Sequence, residues 1–87
     1  MAVRAIRMDA RDNVAVVTTD VKAGEVVHLD DGTKVKATED VPRGGKVALA
    51  AIASGEMIRR YGEAIGLATD DIAAGQHVHT HNLGDRR

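Results

Sequence analysis

Apolar residues in this chain come in short runs, and a glycine breaks them about every ten residues. One unit recurs four times: a β-branched residue, two variable residues, a glycine, two more variable residues, then an apolar residue. It appears in Asp20-Val21-Lys22-Ala23-Gly24-Glu25-Val26-Val27 and Asp40-Val41-Pro42-Arg43-Gly44-Gly45-Lys46-Val47. It appears again in Ala51-Ile52-Ala53-Ser54-Gly55-Glu56-Met57-Ile58 and Asp71-Ile72-Ala73-Ala74-Gly75-Gln76-His77-Val78. Glycine supplies the positive φ that a tight turn demands, and the apolar residue three places later opens a new strand. Pro42 occupies a turn position, where its fixed φ helps. Short strands with frequent reversals, turning at Gly24, Gly32, Gly44-Gly45, Gly55 and Gly75, predict an all-β fold.

The other segments agree. Asn13-Val14-Ala15-Val16-Val17-Thr18 is too short for a helix and reads as a buried strand. Val26-Val27-His28-Leu29 and Thr33-Lys34-Val35-Lys36-Ala37-Thr38 flank Asp30-Asp31-Gly32, a hairpin signal. Helix competes with strand in two places. The alanines of Lys46-Val47-Ala48-Leu49-Ala50-Ala51-Ile52 tolerate a helix, and Ser54 is a plausible cap for one over 56–61, stopped by Gly62. The glycine spacing favours strands in both.

The densest chemistry lies in Asp70-Asp71-Ile72-Ala73-Ala74-Gly75-Gln76-His77-Val78-His79-Thr80-His81-Asn82-Leu83. It holds three of the four histidines, at alternate positions. On an extended strand His77, His79 and His81 share one face, about 7 Å apart. Imidazole titrates near neutrality and is the commonest metal ligand. The interleaving with Val78 and Thr80 is unlike a tag of consecutive histidines; the structural alternative is a polar edge strand without a task.

Composition narrows the picture. Eighty-seven residues with no Phe or Trp and a single aromatic, Tyr61, make one domain over 1–87 with a thin aliphatic core. Burial against a large partner or by self-association is expected to help. The net charge of −1 with interspersed signs leaves no broad basic footprint for nucleic acid, and Arg86-Arg87 is too short to supply one. Cysteine is absent, which removes disulfides and thiolate metal sites. No apolar run approaches the ~20 residues of a membrane helix, and Met1-Ala2-Val3-Arg4-Ala5-Ile6-Arg7 lacks a signal peptide's apolar core. The expectation is a cytoplasmic protein that engages neither membrane nor nucleic acid.

Two further groups carry candidate chemistry. Lys46 follows Gly44-Gly45, where backbone can approach a ligand and an ammonium can hold a carboxylate or phosphate; the spacing of a phosphate loop is missing. Arg59-Arg60-Tyr61-Gly62-Glu63 puts two guanidiniums and a phenol near one turn, suited to a sugar acid because Arg grips carboxylates with paired hydrogen bonds. The alternatives are a solvated lysine, and a half-buried tyrosine beside surface arginines. His28, between Val27 and Leu29, reads as a surface strand residue. Ser54 is the only serine, and no nucleophile–base pair is spaced for catalysis. A complete active site within this chain is not expected.

Several stretches together resemble the SAF domain of the altronate and galactarate dehydratase family. They are Asp12-Asn13-Val14-Ala15, Val47-Ala48-Leu49, Ile52-Ala53-Ser54-Gly55-Glu56, Tyr61-Gly62-Glu63-Ala64-Ile65-Gly66, and Asp71-Ile72-Ala73-Ala74-Gly75 followed by Val78-His79-Thr80-His81-Asn82. The resemblance implies a small β-clip domain that accompanies a large dehydratase part. That part is in the same chain, so that this is a fragment of a longer protein, or in a separate subunit, as for the alpha subunit of sulfolactate sulfo-lyase. It also implies a lyase removing water from a sugar acid such as altronate or galactarate. A divalent metal, Fe²⁺ for preference, would bind substrate oxygens and stabilise the enolate. On the same basis His79 and His81 are expected as acid–base groups or metal ligands, and Lys46, Tyr61 and Asn82 as substrate contacts. One departure stands out: the family commonly has Gly-His-Lys where this chain reads Gly44-Gly45-Lys46. The rival expectation is a non-catalytic module that binds a sugar acid or a metal.

Overall fold

Valine builds the interior. Among the described residues the largest fully buried side chains are Val14, Val17, Val21, Val27, Val41, Val47, Val78 and Ile58. Each such valine stabilises by roughly 1.5 kcal/mol or more when taken out of water. β-Branched side chains pack well on a pleated surface, so the same residues that fill the core also select strands. The computed structural model describes residues 3–7, 9–79 and 81–84; Thr80, Arg86 and Arg87 lie outside the described residues.

The strands are β1 (Val3–Ile6), β2 (Val14–Val17), β3 (Val26–Leu29), β4 (Lys34–Lys36), β5 (Lys46–Ala48), β6 (Met57–Arg60), β7 (Glu63–Ala68), β8 (His77–Val78) and β9 (Leu83–Gly84). The fold is all-β, with no helix among the described residues. Residues 46–52 and 56–61, where helix competed with strand, hold β5 and β6, because ladder pairing and burial of Val47, Ala48 and Ile58 override the propensity of alanine. A six-stranded sheet runs β4-β3-β1-β2-β5-β8, and a three-stranded sheet runs β6-β7-β9. All pairs are antiparallel except β1 with β3. The β3–β4 hairpin has the expected register, Val27 opposite Val35, with Lys34 and Lys36 exposed. His28 is half-buried between Arg4 and Lys34 on neighbouring strands.

The four glycine units form four matching turns. Gly24, Gly44, Gly55 and Gly75 have φ of 92°, 82°, 88° and 90°. The turns associate in pairs, through a bridge between Val21 and Val41 and another between Ile52 and Ile72. Gly75 is further constrained by space, since a Cβ there would lie 2.0 Å from the carbonyl oxygen of Lys36. That close approach docks the fourth turn against the end of β4 and fixes where β8 begins.

Two cores result. One collects Ala5, Ala15, Val17, Val27 and Val47 with their neighbours. The other collects Val14, Ala48, Ile52, Ile58, Ala68, Ile72 and Val78. Successive side chains on a strand alternate between faces, so β2 and β5 are sandwiched: Ala15 and Val47 face the first core, Val14 and Ala48 the second.

Candidate functional site

Strand β8 stops after two residues, and the extended run expected through His81 does not form. Asn82 is the reason. Its Oδ1 accepts the N–H of His79 at 2.8 Å, and its Nδ2 donates to the carbonyl of His77 at 2.9 Å. Its own N–H donates to the carbonyl of His79 at 3.0 Å, closing a turn over 79–82. Alternation along the strand therefore ends at Val78.

The imidazoles still meet, by folding back rather than by standing in a row. The His77 and His79 rings are stacked, with centroids 5.3 Å apart and planes 11° from parallel. His81 tilts against His77 at 5.9 Å and 57°. Both separations are shorter than the ~7 Å of alternate strand positions. His79 and His81 are exposed, and His77 is half-buried.

His77 is the anchor of the group. It pairs with Val47 on β5, and its N–H donates to Oε2 of Glu39 at 3.1 Å. Its Nε2 is buried without a hydrogen-bond partner among the described residues. Burial of the ring holds its pKa below the ordinary histidine value, helped by His79 and opposed by Glu39. The ring covers Gly45: a Cβ at that position would lie 3.2 Å from the His77 Nε2 and 2.8 Å from the Pro42 carbonyl oxygen. The histidine that the family resemblance leads one to expect at 45 has its space taken here by an imidazole from β8.

The donor chemistry of three imidazoles suits a divalent metal, but their placement does not. The parallel rings of His77 and His79 face each other instead of converging on a point. Among the described residues no three His, Asp or Glu side chains form a metal-holding group.

The remaining predicted site residues fall elsewhere. Lys46 lies opposite Val78 and Val16, on the face of the sheet away from His77. Burial, and secondarily the charge of Arg60, hold its pKa below that of an ordinary lysine. Tyr61 is exposed, and the Arg60 guanidinium sits over its ring at 5.4 Å from the centroid. Asn82 is only 2% exposed and its amide is committed to the turn, so it positions the histidines from within.

A clamp on the β6–β7 hairpin escaped sequence reasoning. Tyr61 and Gly62 both have positive φ, 55° and 78°, the backbone of a two-residue hairpin turn. The carboxylate of Asp12, 4% exposed, accepts the N–H of Tyr61 at 2.8 Å and of Gly62 at 2.7 Å. A non-glycine residue in this region costs roughly 1–2 kcal/mol; two hydrogen bonds to a charged acceptor, at ~1.5–3 kcal/mol each, outweigh it. Next to it, Asn13 accepts the N–H of Arg59 at 2.8 Å and donates to the carbonyl of Met57 at 2.9 Å.

A family model described as the altronate/galactarate dehydratase SAF domain matches residues 3–86. The chain belongs to this family. This SAF domain is 49% identical over 77 residues to altronate dehydratase of Escherichia coli, a match that covers 88% of this chain and 15% of that protein. Altronate dehydratase of Bacillus subtilis is 38% identical over the same length and is also covered to 15%. The (2R)-sulfolactate sulfo-lyase subunit alpha of Chromohalobacter salexigens is 31% identical over 93 residues, covering 100% of this chain and 99% of that subunit. The SAF domain thus spans about 15% of the length of the dehydratases it matches. Among the described residues no helix is long and apolar enough to cross a membrane.

Proposed function

We propose that this SAF domain is the small part of a sugar-acid hydro-lyase of the altronate or galactarate dehydratase type, acting beside a large dehydratase part in the cytoplasm. The observation that carries the reading is the imidazole group at one end of the sheet. His79 and His81 are exposed there, on a turn that Asn82 locks from inside. Such a pair can serve a site that a second body completes.

Dehydration of a sugar acid needs a base to remove the proton α to the carboxylate and an acid to protonate the departing β-hydroxyl. The C–H electrons form the double bond as water leaves, and the enol then tautomerises to a 2-keto-3-deoxy acid. Two imidazoles can fill both roles, one taking the proton and the other giving one, and we assign them to His79 and His81. The large part brings the remaining groups, among them those that would hold a divalent metal such as Fe²⁺. A second reading, the alpha subunit of a sulfolactate sulfo-lyase, is favoured by the end-to-end match to such a subunit.

The test is reconstitution with the large part and assay of altronate, galactarate and sulfolactate. The SAF domain alone should turn over none of them. His79→Ala and His81→Ala should each lower kcat by about 10²-fold or more, the loss expected for an acid–base group, without loss of folding. Full activity of the double variant would sink the catalytic assignment and favour a non-catalytic module.

A further inference from the structure

We propose that Lys46 and Arg60 form a carboxylate receptor on the second face of the sheet, separate from the histidines, with the Tyr61 ring backing the guanidinium. The choice of a sugar acid as ligand rests on the lyase reading; the cation pair stands without it.

Three observations bring the two cations together. Lys46 shares its face of the sheet with Val16 and Val78. Strand β6 packs over that face, because Ile58 is buried in the same cluster as Val14, Ala48 and Val78. Arg60 follows Ile58 by two residues and so faces the same way. The irregular register of the β6–β7 pair leaves its extra residue, Ile65, on β7, and the alternation of β6 is kept.

Among the described residues neither cation is paired with an anion. The ion pairs among the described residues are Arg4–Asp30, Arg7–Asp31, Arg11–Asp9 and Lys22–Asp40, which include neither Lys46 nor Arg60. The Nε of Arg60 is buried with no hydrogen-bond partner among the described residues. A buried guanidinium N–H left unpaired is unfavourable, and so is holding an ammonium in the field of a second positive charge. Burial first, and the charge of Arg60 second, hold the Lys46 pKa below the ordinary lysine value, which places the two cations within reach of each other. A carboxylate relieves both at once: it accepts from the guanidinium fork in two parallel bonds and neutralises the ammonium. The Asp12 and Asn13 bonds hold the hairpin that carries Arg60, so the receptor is built before the ligand arrives.

The experiment is an NMR titration of the whole 87-residue chain, following the Arg60 Nε–H and the Lys46 side chain, with galactarate, inorganic phosphate and sorbitol as probes. Galactarate should shift both groups saturably, and more tightly than phosphate; sorbitol should shift neither. Arg60→Gln and Lys46→Met should each weaken binding about tenfold or more, as expected for loss of a charge-assisted hydrogen bond. Lys34→Met, on the far edge strand, should leave affinity within about twofold, since an exposed charge that distant is largely screened. Shifts with phosphate alone, equal shifts with sorbitol, or galactarate shifts confined to the histidines would overturn the proposal. The wild-type titration decides even if a variant fails to fold. Binding by the lone chain is read apart from turnover by the reconstituted enzyme, so this proposal and the lyase reading fail in different assays.

Discussion

Replacing Asn82 by alanine should unfold the turn that gathers the imidazoles. The side chain makes two bonds, to the N–H of His79 at 2.8 Å and the carbonyl of His77 at 2.9 Å, from a position 2% exposed. A hydrogen bond contributes about 0.5–1.5 kcal/mol net, and a partner left unpaired in the interior costs about 1–3 kcal/mol. The two backbone groups are only partly buried, so water recovers some of that loss. The expected destabilisation of Asn82→Ala is therefore about 2–4 kcal/mol. For a domain of this size, at about 4–8 °C per kcal/mol, the Tm should fall by about 8–32 °C. Thermal unfolding followed by far-UV circular dichroism reads this directly, and NMR contacts between the His77 and His79 rings should weaken with it. Asn82→Asp keeps an acceptor for His79 but sets a carboxylate oxygen against the His77 carbonyl, and should not rescue the loss. A Tm within about 2 °C of wild type, with the ring contacts intact, would show that the turn holds itself. The role given to Asn82 would then be wrong. If Asn82 were instead a substrate contact, its loss would leave the stability of the free protein unchanged.

Asp12→Ala should lower stability by about 3–5 kcal/mol, since it removes a buried charged acceptor that takes two hydrogen bonds from the hairpin turn. The urea midpoint measures this, and Asp12→Asn, keeping one acceptor, should lose about half as much. His77 gives a pH prediction of definite sign. Its folded pKa lies below the ordinary 6.5, so the unfolded chain takes up the proton first as pH falls. The stability it contributes is complete above 6.5 and declines as pH drops from there through the folded value. His77→Gln should flatten that part of the stability–pH profile, and an unchanged profile would contradict the assignment.

The all-β architecture and the placing of the turns were legible because both are local. A β-branched residue, a glycine three places on and an apolar residue three beyond that carry their own conformational logic. The histidine group was legible as chemistry but not as geometry. Alternation of His, Val, His, Thr and His reads as a strand, and only the amide of Asn82, reaching back to His77 and His79, turns it into a folded cluster. An Asn three residues after His79 is a weak turn signal that many surface loops share. The Asp12 clamp was invisible for another reason. Its partners lie 49 and 50 residues away, and local propensity carries no information about such pairs. Tyr61 at positive φ is likewise a tertiary result, since tyrosine alone would not choose it. The β5–β8 register sets Lys46 and His77 on opposite faces, a relation that their spacing in the chain does not carry.

The site arises where the repeated turn departs from its own rule. In the first, third and fourth units the residue after glycine sends a side-chain oxygen back to a backbone N–H three residues earlier. Glu25 accepts from Lys22, Glu56 from Ala53 and Gln76 from Ala73, each at 2.7 Å. Neighbouring turns add a second bond: the N–H of Ala23 donates to Asp40, that of Arg43 to Asp20, and that of Ser54 to Asp71. The second unit lacks both halves of the first bond. Pro42 has no N–H to satisfy, and Gly45 has no side chain to satisfy it. The two substitutions are compatible only because they occur together: a glutamate at 45 would have no donor to meet, and any Cβ there would crowd the Pro42 carbonyl and the His77 ring. What the turn gives up in self-stapling becomes room on the surface of β5. The His77 imidazole occupies that room on one face, and Lys46, the next residue along, emerges on the other. A turn stapled like its three counterparts would close the first of those positions, so the irregular unit is what leaves His77 its place on the sheet.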